Sequence, residues 1–462
     1  MRRPLATAAL AMALSGCTTV GPDYRSPAPG APAQTPFASA RPPVFTQDQP
    51  PGRWWSLFPD PAVDRLVEQA LAANTDLRVA AANLARARAV LRETRAGRLP
   101  TTDLSASASY GKEPGFDADT LYDAGLDASY QLDLFGGIRR AIEASRADVE
   151  AVRAALDTTR ISVAAETVRA YADACSAGQQ LAVARESLRI QEQTFDLTRR
   201  LFEGGRGTAL ETGQAGAQLE LVRSAVPTLE AQRQAALFRL SVLTGRPPAQ
   251  YPAEAARCER APALAGPIPV GDGAALLARR PDIRRAEREL AAATARVGVA
   301  TADLYPKVTL GGSVGLTSTS IGGLSSSDAF RFSLGPLISW SFPNTAVARA
   351  RVAQAQASAA GALANFDGTW LQALQETETA LTRYARELDR REGLRRGRGQ
   401  AAEAARIARL RYQSGRESFQ VVLDAERSLS AIEAELARSE AQLSDNLVSL
   451  FLALGGGWQE QG

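Results

Sequence analysis

The chain has 462 residues, with 53 Lys plus Arg against 50 Asp plus Glu, a net charge of +3 and no histidine. That balance leaves no electrostatic footprint for nucleic acid, and the missing imidazole excludes Ser-His-Asp triads, His-type zinc sites and imidazole bases. Lys112 and Lys307 are the only lysines and neither precedes Ser or Thr, so no phosphate-cradling Walker loop exists. The residues ask for no catalytic group, cofactor or metal.

Residues 1–16 read as a signal peptide: Arg2-Arg3 supply the positive region and Leu5 to Leu14 the short apolar run. Leu14-Ser15-Gly16-Cys17 has the form of a bacterial lipobox, which makes Cys17 the expected lipidation site and the mature N-terminus. Acyl chains on Cys17 would exceed the two signals that stable anchoring needs. Thr18, where an Asp would signal inner-membrane retention in enterobacteria, favours the outer membrane. Residues 17–60 then read as a lipidated tether, its Pro- and Ala-rich part 26–51 extended and without a core of its own.

Next comes a sequence written twice. Asp76-Leu77-Arg78 opens an Ala/Arg-rich stretch ending Leu99-Pro100, and Asp282-Ile283-Arg284 opens another ending Tyr305-Pro306, the two offset by 206 residues throughout with no gap between the Asp and the Pro. A period this long marks a duplicated half rather than a short solenoid repeat. The expected organisation is a first repeat over 61–250, a linker over 251–275, a second repeat over 276–455 and a tail over 456–462.

After the repeated Pro, each half has two period-two segments. Leu104, Ala106, Ala108 and Tyr110 alternate with Asp103, Ser105, Ser107 and Ser109; Tyr122 through Leu134 alternate with Asp123 through Asp133. In the second half Val308, Leu310, Val314 and Leu316 oppose Lys307, Thr309, Ser313 and Gly315, and Phe330 through Phe342 oppose Arg331, Ser333, Ser339 and Ser341. About ten residues is what a tilted strand needs to cross a bilayer. Four strands cannot close alone, because lipid forbids unpaired sheet edges and single-chain barrels need about eight strands. Oligomerisation is therefore predicted from the residues themselves. Pro336 is expected at the membrane boundary or in a bulge, since proline cannot donate within a fully paired sheet.

Long helices follow. Residues 138–203 and 346–415 contain no proline, and such runs would extend ~100 Å at ~1.5 Å per residue. Ile138, Ile142, Ser145, Val149, Val152, Leu156, Thr159 and Val163 form a coiled-coil seam, repeated by Leu363, Phe366, Trp370, Ala373, Thr377, Ala380 and Tyr384. Gly393, Gly397 and Gly399 predict a local bend in the second run. Both runs end in matching turns, 201–211 and 411–419, in which Gly205 and Gly415 suit a left-handed C-cap and Thr208 or Ser418 an N-cap.

Taken together the chain resembles TolC-type outer-membrane efflux factors, close to the lipidated NodT/OprM branch. The resemblance covers nearly all of the mature protein. It rests on Trp54-Trp55-x-x-Phe58-x-Asp60-Pro61, on Leu277-x-Arg279-Arg280-Pro281-Asp282-Ile283-Arg284-x-Ala286-Glu287, on Gly298-x-Ala300 to Tyr305-Pro306 and on the two turns. It implies a mainly α fold with a membrane β-barrel: a homotrimer whose four strands per chain make a twelve-stranded barrel above an α-helical coiled-coil tunnel. The linker 251–275 would lie in an equatorial collar. The implied function is the outer-membrane channel of a tripartite efflux system, with a periplasmic adaptor and an inner-membrane resistance-nodulation-division pump as partners and outer-membrane lipid around the barrel. Alternatives are a type I polypeptide secretion channel and a non-conducting lipidated spacer. Met1 and Met12 are the only methionines, so a soft-metal relay of Met or His cannot form in the mature chain.

Carried over residue by residue, the resemblance predicts a periplasmic gate of Tyr412, Glu211 and Asp424. Val421 stands where the family places a second acid, which puts a double acidic ring in doubt. The alternative is that Glu211 and Asp424 only stabilise helix N-terminal turns. Gly205, Arg206, Thr208, Gly415, Arg416 and Ser418 are the expected adaptor-contacting tips, with Arg206 or Arg416 bridging to Glu211 or Glu417. An oxidising compartment favours a disulfide between Cys175 and Cys258, the alternative being two free thiols.

Overall fold

A computed structural model describes residues 19–27, 35–112, 114–115, 117–264 and 266–456. Cys17, the leader and residues 457–462 lie outside them. In chain order the elements are β1 (Phe45–Thr46), a 3-10 turn (Trp54–Leu57), α1 (Pro61–Ala73), α2 (Thr75–Ala96), β2 (Thr101–Gly111), β3 (Asp119–Leu132), α3 (Gly137–Glu203) and α4 (Ala209–Leu243). There follow α5 (Ala253–Arg257), β4 (Ile268–Pro269), α6 (Gly273–Arg279), α7 (Pro281–Ala302), β5 (Lys307–Ser318), β6 (Phe330–Ser339), α8 (Ala346–Gln413) and α9 (Phe419–Ala453).

Local chemistry sets the helix ends. The Asp60 side chain accepts from the Ala62 amide at 2.9 Å and Pro61 occupies the first helical position of α1. Asp133, expected as the last polar residue of its strand, instead accepts from the amides of Ile138 and Arg139 at 3.0 and 2.9 Å and so starts α3. The long helices stop at Gly205 and Gly415, with φ of 69° and 70°. In each turn the amide after the glycine reaches back to the carbonyl of Leu201 or Arg411 at 2.8 Å, while the glycine amide reaches Phe202 or Tyr412. That is a Schellman cap made twice.

Among the described residues, one compact unit comprises 19–27, Ala82–Ala154 and Ile283–Thr369. It holds one antiparallel sheet in the order β2-β3-β5-β6. The N-terminal segment is clasped here: the Val20 amide donates to the Phe135 carbonyl at 3.1 Å. Arg140, buried, donates to the carbonyls of Val20 and Gly21 at 3.2 Å each and to Asp23 at 2.6 Å. A Cβ on Gly298 would lie 2.7 Å from the Arg140 Cγ, which explains the glycine of the Gly298-x-Ala300 motif, and one on Gly21 would lie 2.4 Å from the Gly298 Cα.

The second unit comprises, among the described residues, 35–81, Ala155–Asp282 and 370–456. Its core gathers Trp54, Trp55, Phe58, Leu66, Val67, Tyr171, Leu240, Ile268, Leu381 and Phe451. Cys175 of α3 and Cys258, at the C-cap of α5, are joined by a disulfide across a sequence separation of 83 residues.

Three expectations need correction. The segment 35–60 is no free tether: Phe37 and Phe45 are buried and β1 pairs in parallel with β4. Pro336 sits opposite Leu310 in unbroken register, not in a bulge. The strand does not reach Trp340 or Phe342; it ends at Ser339, and the Trp340 indole donates to the Leu304 carbonyl at 3.1 Å. Gly393, Gly397 and Gly399 lie within an unbroken α8, with at most the Ile432 side chain near a Cβ position.

Candidate functional site

The sheet sorts its side chains by rung. Leu104, Leu126, Val314 and Phe332 form one row across the four strands, and Asp103, Asp127, Ser313 and Ser333 form the next. Successive side chains point to opposite faces of a strand, so one face is a band of Leu, Val, Phe and Tyr and the other is Asp, Ser, Gly, Thr and Arg. The apolar band is exposed, Leu104 at 85% and Phe332 at 77%. A patch that size on a water-soluble surface would cause association; facing acyl chains it is in its own solvent. Strands β2 and β6 each keep one unpaired edge. No helix among the described residues is long and apolar enough to cross a membrane.

At the tips, Tyr412 leans into a small cluster of Ala215, Ala408, Phe419, Val422 and Leu423, its ring 5.7 Å from that of Phe419. Burial and then the charge of Glu211 raise the Tyr412 phenol above its usual range. Glu211 has a second task. Its carboxylate accepts from the Thr208 amide at 2.8 Å while the Thr208 hydroxyl accepts from the Glu211 amide at 3.2 Å, a full capping box for α4. Asp424 lies beyond the first turn of α9, exposed, and accepts from the Gln420 side-chain Nε2 at 3.1 Å. Tyr412, Glu211 and Phe419 are thus brought together by the fold, and Asp424 stands one turn along.

Ser418 corrects the capping expectation. It takes the extended N-cap conformation, but its side chain makes no capping hydrogen bond. Glu417 is held within its own turn by Arg411, Nε to Oε2 3.4 Å, leaving Arg206 and Arg416 exposed at the tips beside Gly205, Gly415 and Thr208.

One charged group near the tips escaped the sequence reading. Glu426 of α9 is buried, accepting from Gln191 and Thr194 of α3 at 3.1 Å each, with the Arg409 Nε of α8 at 3.6 Å. Burial pushes its carboxyl above the ordinary range. The signal was present: Glu426 follows Val422 by four residues and Leu423 by three, so it falls on the apolar stripe of its helix.

Comparison with known proteins agrees with this architecture. A family model described as outer membrane efflux protein matches residues 66–246 and again 274–456. Nodulation protein T of Rhizobium leguminosarum bv. trifolii is 29% identical over 96% of this chain and 95% of its own length. The pyoverdine export outer membrane protein OpmQ of Pseudomonas putida is 32% identical over 99% of this chain and 98% of its own. Among solved structures, the outer-membrane channel OprN superposes with a TM-score of 0.89 at 38% identity, covering 96% of this chain and 100% of that one. A mainly helical chain with a four-stranded, apolar-faced sheet and matches on this scale belongs to the outer membrane efflux protein family.

Proposed function

We propose that three copies of this outer-membrane efflux protein close a twelve-stranded barrel, β6 of each copy pairing with β2 of the next. Two structural repeats per chain would then supply the helices of a periplasmic tunnel, anchored through acylated Cys17. The observation that carries this reading is the exposed apolar face on a sheet with two open edges, since that face belongs in lipid and the unpaired edges cannot persist there unless the sheet is closed. The polar opposite face supports conduction over a mere spacer, which would need no such lining. The cargo we infer is small and amphipathic, handed over through a periplasmic adaptor by an inner-membrane resistance-nodulation-division pump. The adaptor would meet the tips at Gly205, Arg206, Thr208, Gly415, Arg416 and Ser418.

We further propose that Tyr412, Glu211 and Asp424 from three copies narrow the periplasmic end, as rings of carboxylates do in other pores. Deleting the chain should sensitise cells to dyes and detergents, and the wild-type chain should restore resistance. Restoration with Tyr412→Phe combined with Glu211→Ala should also admit vancomycin, because the gate then leaks. Thr208→Ala separates gate from cap: it removes the capping bond, at a cost of about 1 kcal/mol, and should leave vancomycin excluded. Normal resistance in the deletion strain together with a lost secreted polypeptide would favour type I secretion.

A further inference from the structure

Residues 426 and 427 of α9 straddle the α3–α4 hairpin. Glu426 accepts from Gln191 and Thr194 of α3, while Arg427 beside it donates to the Gln218 side chain of α4 at 2.9 Å. From α8, Arg409 is the one charged group acting on Glu426 among the described residues; its Nε is 3.6 Å away and also donates to the Ala405 carbonyl at 3.3 Å. Gln191 and Thr194 do not titrate, and Arg427 is turned to α4. This clasp lies one turn along α9 from the apolar cluster on which Tyr412 packs.

Packing alone does not call for a carboxylate here. The Glu426 side chain is 2% exposed, its stripe-mates Val422 and Leu423 pack without charge, and apolar side chains often replace buried charged pairs at no loss of stability. Gln191 donates to Glu426 while its own Oε1 is buried without a hydrogen-bond partner, a desolvation cost that parting the helices would relieve. The contact is thus built to be broken. Resting on the reading that the tips close the periplasmic end, we propose that Glu426 is a positioning residue for that gate: with a proton bound it clasps α9 to α3, and ionised it lets the α8–α9 hairpin part from α3. Burial holds the carboxyl above its ordinary range, so the docked hairpin binds the proton more tightly than a parted one, in which Glu426 meets water. Docking is therefore strongest below the ordinary glutamate value of about 4.3 and weakens as pH rises through the raised one. The protonated side chain keeps its bond to Thr194, because a hydroxyl accepts as well as donates.

Resting conductance of the purified trimer in a planar bilayer, recorded from about pH 5 to about pH 8, tests this. Wild-type conductance should fall about two-fold or more from the alkaline to the acid end. Glu426→Gln, uncharged and nearly isosteric, should stay at the low acid level throughout; a merely structural role would leave its pH profile like that of wild type. Arg409→Gln removes the cation that favours the ionised form and should move the midpoint to higher pH. Should Glu426→Gln fail to trimerise, that midpoint decides, and an unmoved or lowered one overturns the proposal. A wild type whose conductance is level across the range overturns it too. So does a pH response that survives Glu426→Gln and disappears in Asp424→Asn, which would leave the gate itself standing. If Tyr412→Phe with Glu211→Ala leaves resting conductance unchanged, the gate reading fails, whatever Glu426→Gln does.

Discussion

Trp54→Ala should destabilise the second unit by about 3–5 kcal/mol, the usual cost of truncating a large buried aromatic. Trp54 is fully buried and stacks on Phe451 of α9, ring centroids 4.8 Å apart, while meeting Trp55 and Phe58 edge-on. It joins the segment before α1 to the last turn of the chain's last helix, so the cavity would open where two distant parts of the sequence meet. Its indole nitrogen is buried without a partner, which makes Trp54→Phe a sharp control: it keeps most of the ring stacking and gives up no hydrogen bond. Thermal melts followed at the helical signal should show a large fall for alanine and a much smaller one for phenylalanine. Equal losses would mean that the indole is bonded and the stacking is incidental.

Arg280→Met should cost about 3 kcal/mol, the low end for breaking a buried ion pair by removing one partner. Arg280 sits at the C-cap of α6 with its side chain only 10% exposed. It donates to Asp282 at 3.0 and 2.6 Å, to Glu376 at 2.8 Å and to the Ala453 carbonyl at 2.9 Å, tying three helices together. Asp282 and Glu376 are partly exposed and can rehydrate, hence the low end. Arg280→Lys keeps the charge but cannot fork to three acceptors, so it should fall between wild type and methionine. A lysine variant as stable as wild type would mean that charge alone matters at this junction.

Much of this architecture was legible in the residues because its signals are local or periodic. Strand alternation survives in the register that puts Leu104, Leu126, Val314 and Phe332 on one row. Proline-free runs became α3 and α8, and the glycines after them became left-handed caps at the turns. The misses share a different character. The docking of residues 35–60 depends on a two-residue strand whose partner, β4, lies more than two hundred residues on, and no local pattern announces such a pairing. Ser418 has the right side chain for a cap, yet only the built turn shows that it makes no bond. The ion pair between Arg331 of β6 and Asp123 of β3 requires the register of three strands at once, and alternation fixes faces without fixing neighbours.

The proposed assembly is a conducting, trimeric barrel. Single-channel recording from the purified, mass-verified trimer in a planar bilayer tests it most directly. Discrete conductance steps, absent from a preparation lacking residues 101–132, are the predicted result. A trimer shown to be inserted but electrically silent, with the tip substitutions Tyr412→Phe and Glu211→Ala in place as well as without them, would contradict it.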